Sequence, residues 1–179
     1  MNLRTIVLAI ISLSVWQPAN AQSRQERGPQ TNNHESIRAV GQSQAGPRAR
    51  TRAKAKITVQ SSEAKPYDQT VSPALMEIRL SETFTGDLEG ESPVRALQVL
   101  RDDHSASLAS VQRFRGKLGG RPGTFVLQGQ EVVENGKIKA AWFVVPGSGT
   151  GELRGLRGEG GFEGDFGKGS DGTLDYWFE

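Results

Sequence analysis

Apolar and polar residues alternate with a period of two along most of the chain beyond residue 55. The alternation recurs in eight stretches that predict β-strands: residues 56–62, 75–88, 94–102, 107–118, 124–130, 137–145, 156–162 and 173–178. No long stretch keeps the 3.6-residue period of an amphipathic helix, so little helix is predicted. Turn signals separate the stretches, including the Asn135-Gly136 pair, which suits a tight hairpin. The pattern predicts neighbouring antiparallel strands.

Glycine shares a strand face with Phe and Leu in two stretches that repeat one pattern. FTGDLEG (residues 84–90) and FRGKLGG (residues 114–120) both read F-x-G-x-L-x-G, and the alternation places these four residues on one face of a continuous strand. Glycine weakens a flat strand, but it is favourable where a strand bends or a neighbour needs room, as in a small barrel. Closure also removes exposed strand edges. The predicted fold is therefore all-β, a closed eight-stranded antiparallel meander β-barrel with at most one short helical turn.

The glycine-rich stretch VVPGSGTGELRGLRGEGGFEG (residues 144–164) is predicted to be a corner of this barrel. Pro146 cannot continue the ladder of the strand that ends before it, and the glycines that follow allow a sharp corner. Thr150 is expected to cap a single helical turn. A G-x-G-x-x-G match at residues 167–172 lacks a following helix, so it does not predict a nucleotide site.

The alternation assigns one set of side chains to the barrel interior. Its apolar members are Ile78, Leu80, Phe84, Leu88, Leu108, Phe114, Leu118, Phe125, Leu127, Ile138, Trp142, Val144, Leu174, Tyr176 and Phe178. Polar groups on the inward face form the predicted ligand-binding set: Glu82, Ser110, Gln112, Trp142 and Tyr176. A buried carboxylate is costly unless it is protonated or hydrogen-bonded, so Glu82 is expected to meet a partner or to line a cavity. The alternative is a wetted position near a barrel mouth.

The first 55 residues lack the strand pattern. Residues 1–21 are predicted to be a signal peptide, because Arg4 precedes an apolar run of about ten residues and a small-residue cleavage site. Residues 22–55 are basic and poor in apolar side chains, which predicts a disordered tail or linker. The barrel domain is assigned to residues 56–179. An exported protein, periplasmic or extracellular, without a transmembrane segment after signal removal, is expected.

Charge and composition narrow the chemistry. Residues 56–179 carry 14 Lys and Arg against 18 Asp and Glu, a net charge of −4, so a nucleic-acid partner is not expected. The chain has no cysteine, which excludes disulfides and thiolate sites, and its two histidines are His34 and His104. No catalytic triad, no metal site and no cofactor is predicted.

An acidic group on one strand face is a further candidate for paired-carboxylate chemistry. Asp87, Glu89 and Glu91 lie on the face opposite Phe84 and Leu88. Basic residues at Arg113, Arg115 and Lys117 follow the same alternation on a later strand. An exposed ladder of opposite charges is favoured over a catalytic pair.

Five segments resemble the domain-of-unknown-function family DUF3224: KPYD (residues 65–68), TFTGDLEGES (83–92), GTFVLQ (123–128), VVPGSGTGELRGLRGEGGFE (144–163) and LDYWFE (174–179). The resemblance implies a closed eight-stranded barrel similar to plant allene oxide cyclases and dirigent proteins, whose "GG-T/S-G…ARG" segment is similar to PGSGTGELRGLRG here. Those proteins hold an apolar molecule in the barrel, so the resemblance implies a ligand cavity. It places no catalytic residue on this chain.

Three functions remain open from the sequence. The first is binding of a small apolar or amphipathic molecule in the barrel. The second is a lyase- or isomerase-like enzyme that uses the same cavity. The third is a solid barrel that acts as a structural or interaction protein through its surface or tail.

Overall fold

The computed structural model describes residues 49–179. Its strands are β1 (Thr51–Asp68), β2 (Ala74–Gly86), β3 (Leu88–Leu100), β4 (Ala106–Leu118), β5 (Arg121–Glu134), β6 (Lys137–Val144), β7 (Leu156–Asp165) and β8 (Gly169–Phe178). Each strand pairs antiparallel with the next, and β8 pairs with β1, so the sheet closes into a barrel. A single 3₁₀ turn, Gly151–Leu153, interrupts the strands. The predicted closed eight-stranded antiparallel barrel is confirmed.

The amino-terminal strand begins earlier than its predicted start at residue 56. β1 includes residues 51–55, which were predicted to belong to the basic tail. Ala53 and Ala55 are buried between exposed basic residues, and Arg52 forms an ion pair with Asp175 of β8 at 2.6 Å. The inward alanines therefore continue the period-two strand pattern. The basic residues between them make the same segment resemble the basic tail. The predicted signal peptide and the tail up to residue 48 lie outside the described residues.

The stretch FTGDLEG is not one continuous strand, and that part of the prediction was wrong. β2 ends at Gly86 and β3 begins at Leu88, so the chain reverses at Asp87. Gly86 has a φ of 124°, a backbone conformation that side chains disfavour, and this permits the tight reversal. Phe84 and Leu88 both still point inward, with 2% of each exposed. The hairpin therefore preserves the predicted inward face.

Glycine lets β3 and β4 approach closely, as the sequence pattern predicts. Gly90 and Gly116 are direct partners across the two strands. A Cβ at Gly90 would lie 2.2 Å from the carbonyl oxygen of Arg115, a distance that no side chain tolerates. These glycines of the repeated pattern thus have a steric role in the barrel wall.

The glycine-rich segment between β6 and β7 is the predicted corner, but its cap differs from the prediction. Thr150 precedes the 3₁₀ turn without making a side-chain cap. Its hydroxyl instead bonds the Thr124 hydroxyl at 2.8 Å and accepts from the Thr124 backbone N–H at 3.1 Å. Leu153 of the turn is completely buried. The corner therefore closes one end of the barrel with an apolar side chain.

Register around the barrel gives its stagger. The row of paired residues that starts at Met76 of β2 passes through each strand in turn, reaches Ala55 of β1, and returns to β2 at Gly86, ten residues further along. Barrels with eight strands and a stagger of about eight pack solid in their centre. Since diameter and stagger are linked, a larger stagger makes a wider interior.

One end of the interior is filled by apolar side chains, and we call it the packed half. It lies toward the β2–β3 and β4–β5 turns. Its buried residues are Ala53, Ala55, Ile57, Phe84, Leu88, Phe114, Leu118, Phe125, Leu127, Trp142, Val144, Leu153, Leu156 and Leu174. Phe114 stands at its centre, with ring centroids 5.5 Å from Phe84 and 4.9 Å from Phe125. Packing of this kind supplies most of the stability of a small domain.

The other end, which we call the open half, lies toward the β1–β2, β3–β4, β5–β6 and β7–β8 turns. Its small apolar cluster has Ala106 and Val133 buried, with Leu108, Ile138 and Phe166 only partly buried. Ile78 and Leu80 of β2 also point inward here and are partly exposed. Some interior side chains of this half thus retain contact with solvent, while Met76, Val94 and Ala96 are buried.

Candidate functional site

A layer of polar side chains crosses the interior where the packed half meets the open half. It consists of Glu82 on β2, Ser92 on β3, Ser110 and Gln112 on β4, and Glu131 on β5, which we call the polar cluster. Their exposed fractions are 6%, 0%, 6%, 5% and 6%, respectively. Each occupies an inward position of its strand, and Glu82 is the direct partner of Ser92. Four adjacent strands therefore deliver five buried polar side chains to one region.

Most of these side chains have an atom without a hydrogen-bond partner among residues 49–179. The atoms are Glu82 Oε2, Ser92 Oγ, Gln112 Oε1 and Glu131 Oε2. One pairing exists within the cluster, because the Ser110 hydroxyl donates to Glu131 Oε1. Leaving a buried polar group unpaired costs about 1–3 kcal/mol, and native proteins contain few such groups. Four such atoms in one region make the polar cluster the unusual feature of the interior.

Burial raises the pKa of both carboxyls of the cluster. The pKa of Glu82 is raised to about 7. Burial is the larger cause, and the nearby negative charge of Glu131 is the smaller one. Burial raises the pKa of Glu131 to about 6, while the Ser110 hydrogen bond opposes the rise. Glu131 therefore ionises first, and its charge then hinders ionisation of Glu82. At neutral pH the pair is poised between one and two negative charges.

A glycine on β5 makes room for the hydrogen-bonded pair of Ser110 and Glu131. A Cβ at Gly129 would lie 2.7 Å from Glu131 Oε1 and 2.9 Å from Ser110 Oγ. Gly129 is the direct partner of Ser110 across the β4–β5 ladder. The absence of a side chain at this inward position therefore lets the carboxylate fold back over the strand.

Trp142 forms an apolar wall next to the polar cluster rather than a polar contact within it. Its ring N–H donates to the Thr173 carbonyl at 3.1 Å, so this donor is already used. The ring lies 5.2 Å from the Phe162 ring, and a Cβ at Gly172 would come within 3.3 Å of it. Trp142 thus belongs to the packed half and borders the polar cluster at Gly129, its direct partner on β5.

Tyr176 lies elsewhere, at the far end of the packed half. It packs against the apolar residues there, and its ring centroid is 6.0 Å from that of Phe178. A Cβ at Gly119, in the β4–β5 turn, would lie 2.7 Å from the Tyr176 hydroxyl oxygen. The structure therefore brings Glu82, Ser110 and Gln112 together and Trp142 beside them, and it separates Tyr176 from that group.

Comparison with known proteins agrees with this architecture. Residues 53–179 match the family described as "Protein of unknown function (DUF3224)". The chain belongs to the DUF3224 family. It is similar to the crystal structure of a DUF3224 protein of unknown function from Shewanella oneidensis MR-1, with 29% identity and a TM-score of 0.59. That match covers 73% of this chain and 98% of the other. No curated protein matches the chain.

Two members of the polar cluster in this DUF3224 barrel were not predicted from the sequence. Glu131 of β5 lies just beyond residue 130, where the predicted strand ends. Ser92 of β3 lies just before residue 94, where the predicted strand begins. The signal was present in both cases. The inward alternation continues without a break from Phe125 to Val133 on β5, and from Leu88 to Gln98 on β3.

The exposed acidic ladder of the DUF3224 barrel is a surface feature, as expected. Glu89 stands directly opposite Lys117, and Glu91 directly opposite Arg115, on the outer face of β3 and β4. All four are exposed. Opposite charges at such cross-strand positions stabilise the sheet modestly, and they do not form an enclosed site.

Other kinds of site have little support in the described part of the chain. No group of three or more His, Cys, Asp or Glu side chains lies together there in a way that could hold a metal ion. An open surface depression is lined by Ser72, Pro73, Arg101, Asp102 and Asp103, and the Ser72 hydroxyl donates to Asp102 at 2.8 Å. Among residues 49–179, no helix has the length and apolar character needed to cross a bilayer. The polar cluster remains the strongest candidate site.

Proposed function

We propose that this DUF3224 protein is an exported barrel that binds one small amphipathic molecule in its open half. The observation that carries the proposal is the set of four buried, unpartnered atoms in the polar cluster. Ligand pockets typically combine apolar walls with a few polar groups that fix orientation. A bound molecule that hydrogen-bonds to these atoms would remove the cost of leaving them unpaired.

The walls of the open half suit the apolar part of such a molecule. Ile78, Leu80, Leu108 and Ile138 point inward and are only partly buried. Covering these side chains would gain about 25 cal/mol per Å² of apolar surface removed from water. The molecule would place its polar end on the polar cluster and its apolar body toward the rim.

The rim offers access on one side. β1 pairs with β8 only from Thr51 to Ile57, because β8 begins at Gly169, next to Ile57. β1 itself continues to Asp68 and stays paired with β2. The wall between β1 and the β7–β8 turn is therefore lower than the wall formed by β1 to β5, and a small molecule would enter above that turn.

A second candidate function is a lyase- or isomerase-like reaction in the same interior. It is favoured by Glu82, because a carboxyl with a pKa of about 7 can both take up and deliver a proton at neutral pH. The two candidates differ in the effect of Glu82→Gln. That variant would abolish turnover of a substrate in an enzyme, whereas a binding protein would show altered affinity and no turnover at all.

Native mass spectrometry of protein purified from its own cell envelope tests the proposal. We expect a one-to-one adduct on the wild-type protein. Leu108→Trp, which fills the open half, is expected to lose the adduct, whereas Ala109→Trp, one residue along β4 on the exposed outer face, keeps it. Circular dichroism confirms that both variants fold. A wild-type mass without an adduct, or an adduct unaffected by Leu108→Trp, would contradict a ligand in the barrel and favour a solid or surface-acting protein.

A further inference from the structure

The polar groups in the interior of the open half have one electrostatic character. Along the described strands, the alternation places no Lys, Arg or His on an inward position of this half. The unpartnered atoms are two carboxyl oxygens, an amide oxygen and a hydroxyl oxygen. Ionised carboxylates and amide oxygens accept hydrogen bonds and donate none, whereas the Ser92 hydroxyl can also donate one. When Glu82 and Glu131 are ionised, the polar cluster therefore presents negative charge and unpartnered acceptors with no cationic side chain of the described strands facing them.

We infer that the ligand of the polar cluster carries an organic cation, a primary or secondary ammonium group on an apolar body. This inference rests on the proposed function and specifies the polar end of the bound molecule. An ammonium group brings two or three N–H donors from a single atom. Glu82 Oε2, Glu131 Oε2 and Gln112 Oε1, which have no partner in the described chain, are the matching acceptors.

The pairing of Glu82 with Glu131 selects a cation over a neutral donor. The two carboxyls repel each other when both are ionised, and this raises the pKa of Glu82. A hydroxyl group would satisfy hydrogen bonds but leave the repulsion in place. A positive charge near both carboxyls attracts each of them, and Coulomb energies of this kind are large where water is excluded. A cation therefore supplies hydrogen-bond donors and also offsets the repulsion while both carboxyls stay ionised.

The surroundings select an organic cation over a metal ion. Calcium takes about six to eight oxygen ligands and magnesium retains several waters. The cluster has only two charged ligands, since its other oxygens belong to one glutamine amide and two serine hydroxyls, and the described chain holds no group of three or more acidic, His or Cys side chains suited to a metal. Leu80, Leu108 and Ile138 next to the cluster instead provide surface for an alkyl or aryl group. The same site thus accommodates the charge and the carbon skeleton of an amine.

Binding of a cation should be coupled to loss of protons from the cluster. Glu82 faces Val59 on β1, Ser92 on β3 and, across the interior, Glu131 on β5, which is the titratable group that acts on it among the described residues. Ser110 and Gln112 of β4 are uncharged. Because both carboxyls are protonated at acidic pH, an ammonium ligand is expected to bind weakly there and more tightly as the pH rises past their pKa values.

Calorimetric titration with n-hexylamine and 1-hexanol tests the inference on the full mature protein. The two probes share an alkyl chain and differ in charge. We expect n-hexylamine to bind at least tenfold more tightly than 1-hexanol at pH 8, and at least tenfold more weakly at pH 5 than at pH 8. The double variant Glu82→Gln/Glu131→Gln is expected to lose the preference for the amine and to keep its affinity for 1-hexanol. The matched control, Glu89→Gln/Glu91→Gln on the exposed face, removes the same formal charge and is expected to keep the preference.

The outcomes separate this inference from the proposed function. Equal affinity for the two probes would overturn the cation and leave an amphipathic ligand intact. Loss of the amine preference in the exposed-face control would also overturn it, because general attraction to acidic residues on the barrel surface would then explain the binding. Binding of neither probe overturns the cation inference too, while the native mass spectrum of the wild-type protein decides the proposed function on its own.

Discussion

The two halves of the barrel share the same eight strands, but they have opposite interiors. In the packed half, Phe84, Phe114 and Phe125 pack ring against ring, and no more than 2% of each is exposed. In the open half, carboxyl, amide and hydroxyl groups lie between aliphatic side chains that remain partly exposed. Strands β2 to β5 each run through both halves. The difference therefore lies in which residue occupies each second position, and it separates the packed core from the candidate site along a single barrel axis.

Strand β4 shows this division within one strand. Leu118 and Phe114 are completely buried at its packed end, Gln112 and Ser110 belong to the polar cluster, and Leu108 is partly exposed in the open half. All five alternate on the inward face. The inward face of β4 thus runs from the packed half through the polar cluster to the open half. It therefore offers matched positions at which the two halves can be compared.

The largest expected effect is on stability, and it comes from shortening the same residue type in the two halves. Leu118→Ala should lower the free energy of unfolding by about 2–5 kcal/mol, the range for a leucine removed from a closed core. Leu108→Ala should cost about 1 kcal/mol, because its side chain gains less from burial. Urea unfolding of both variants at one pH measures the difference.

Equal losses in the free energy of unfolding for Leu118→Ala and Leu108→Ala would contradict the distinction between the two halves. A large loss for Leu108→Ala would show that the open half is as tightly packed as the other end in solution. Val111→Ala, at an exposed outer position of the same strand, serves as the control and should change stability little.

The second effect concerns the pH dependence of stability. The folded state raises the pKa of Glu82 to about 7 from 4.5, so the folded state binds more protons than the unfolded state between these values. Stability should therefore fall as the pH rises from about 4.5 to 7 and level off above that range. The raised pKa of Glu82 corresponds to a fall of about 3 kcal/mol in the free energy of unfolding across this range. Glu82→Gln should remove most of this fall and be more stable than the wild type at pH 8.

Unfolding in urea across a pH series provides the measurement for Glu82. Glu89→Gln on the exposed outer face is the control and should follow the wild-type profile. A wild-type stability that rises steadily between pH 5 and 7 would show that Glu82 is ionised and well solvated in the folded barrel, and the distinction between the halves would then rest on packing alone.

The smallest effect concerns the hydrogen bond inside the polar cluster. Ser110→Ala should raise the pKa of Glu131 above about 6, because the Ser110 hydroxyl stabilises the ionised carboxylate. The loss of stability at neutral pH should be about 1 kcal/mol. Carbon-13 NMR titration of the Glu131 carboxyl measures the pKa. Ser107→Ala, on the outer face of β4, should leave it unchanged; an unchanged value in Ser110→Ala would refute the hydrogen bond.

Much of the fold could be predicted from the sequence, because one face of each strand is buried. The period-two pattern of Phe114, Leu118, Phe125 and Leu127 reports this burial directly. The corner after Val144 was also predictable, since Pro146 and the glycines leave few backbone alternatives. Strand ends were less predictable. The reversal at Asp87 was concealed because Phe84 and Leu88 face inward on both sides of it.

The candidate site was predicted only in part. Glu82, Ser110 and Gln112 could be found because a polar residue on an inward face contradicts its neighbours. Trp142 and Tyr176 follow the same rule, but alternation gives the face of a strand and not the height along the barrel axis. That height depends on the register between strands, which is set by the whole ring. The register places Tyr176 at the far end of the packed half, away from Glu82.

The register between β1 and β8 has a consequence for folding kinetics. These strands lie at opposite ends of the described chain and pair only from Thr51 to Ile57, within the packed half. Every other pair of neighbouring strands is joined by a local connection. Closing the ring must therefore overcome the entropy of a loop of more than a hundred residues, and such distant contacts slow folding. We expect substitutions at Ala53 and Ile57 to slow ring closure, whereas substitutions in the open half change mainly the rate of unfolding.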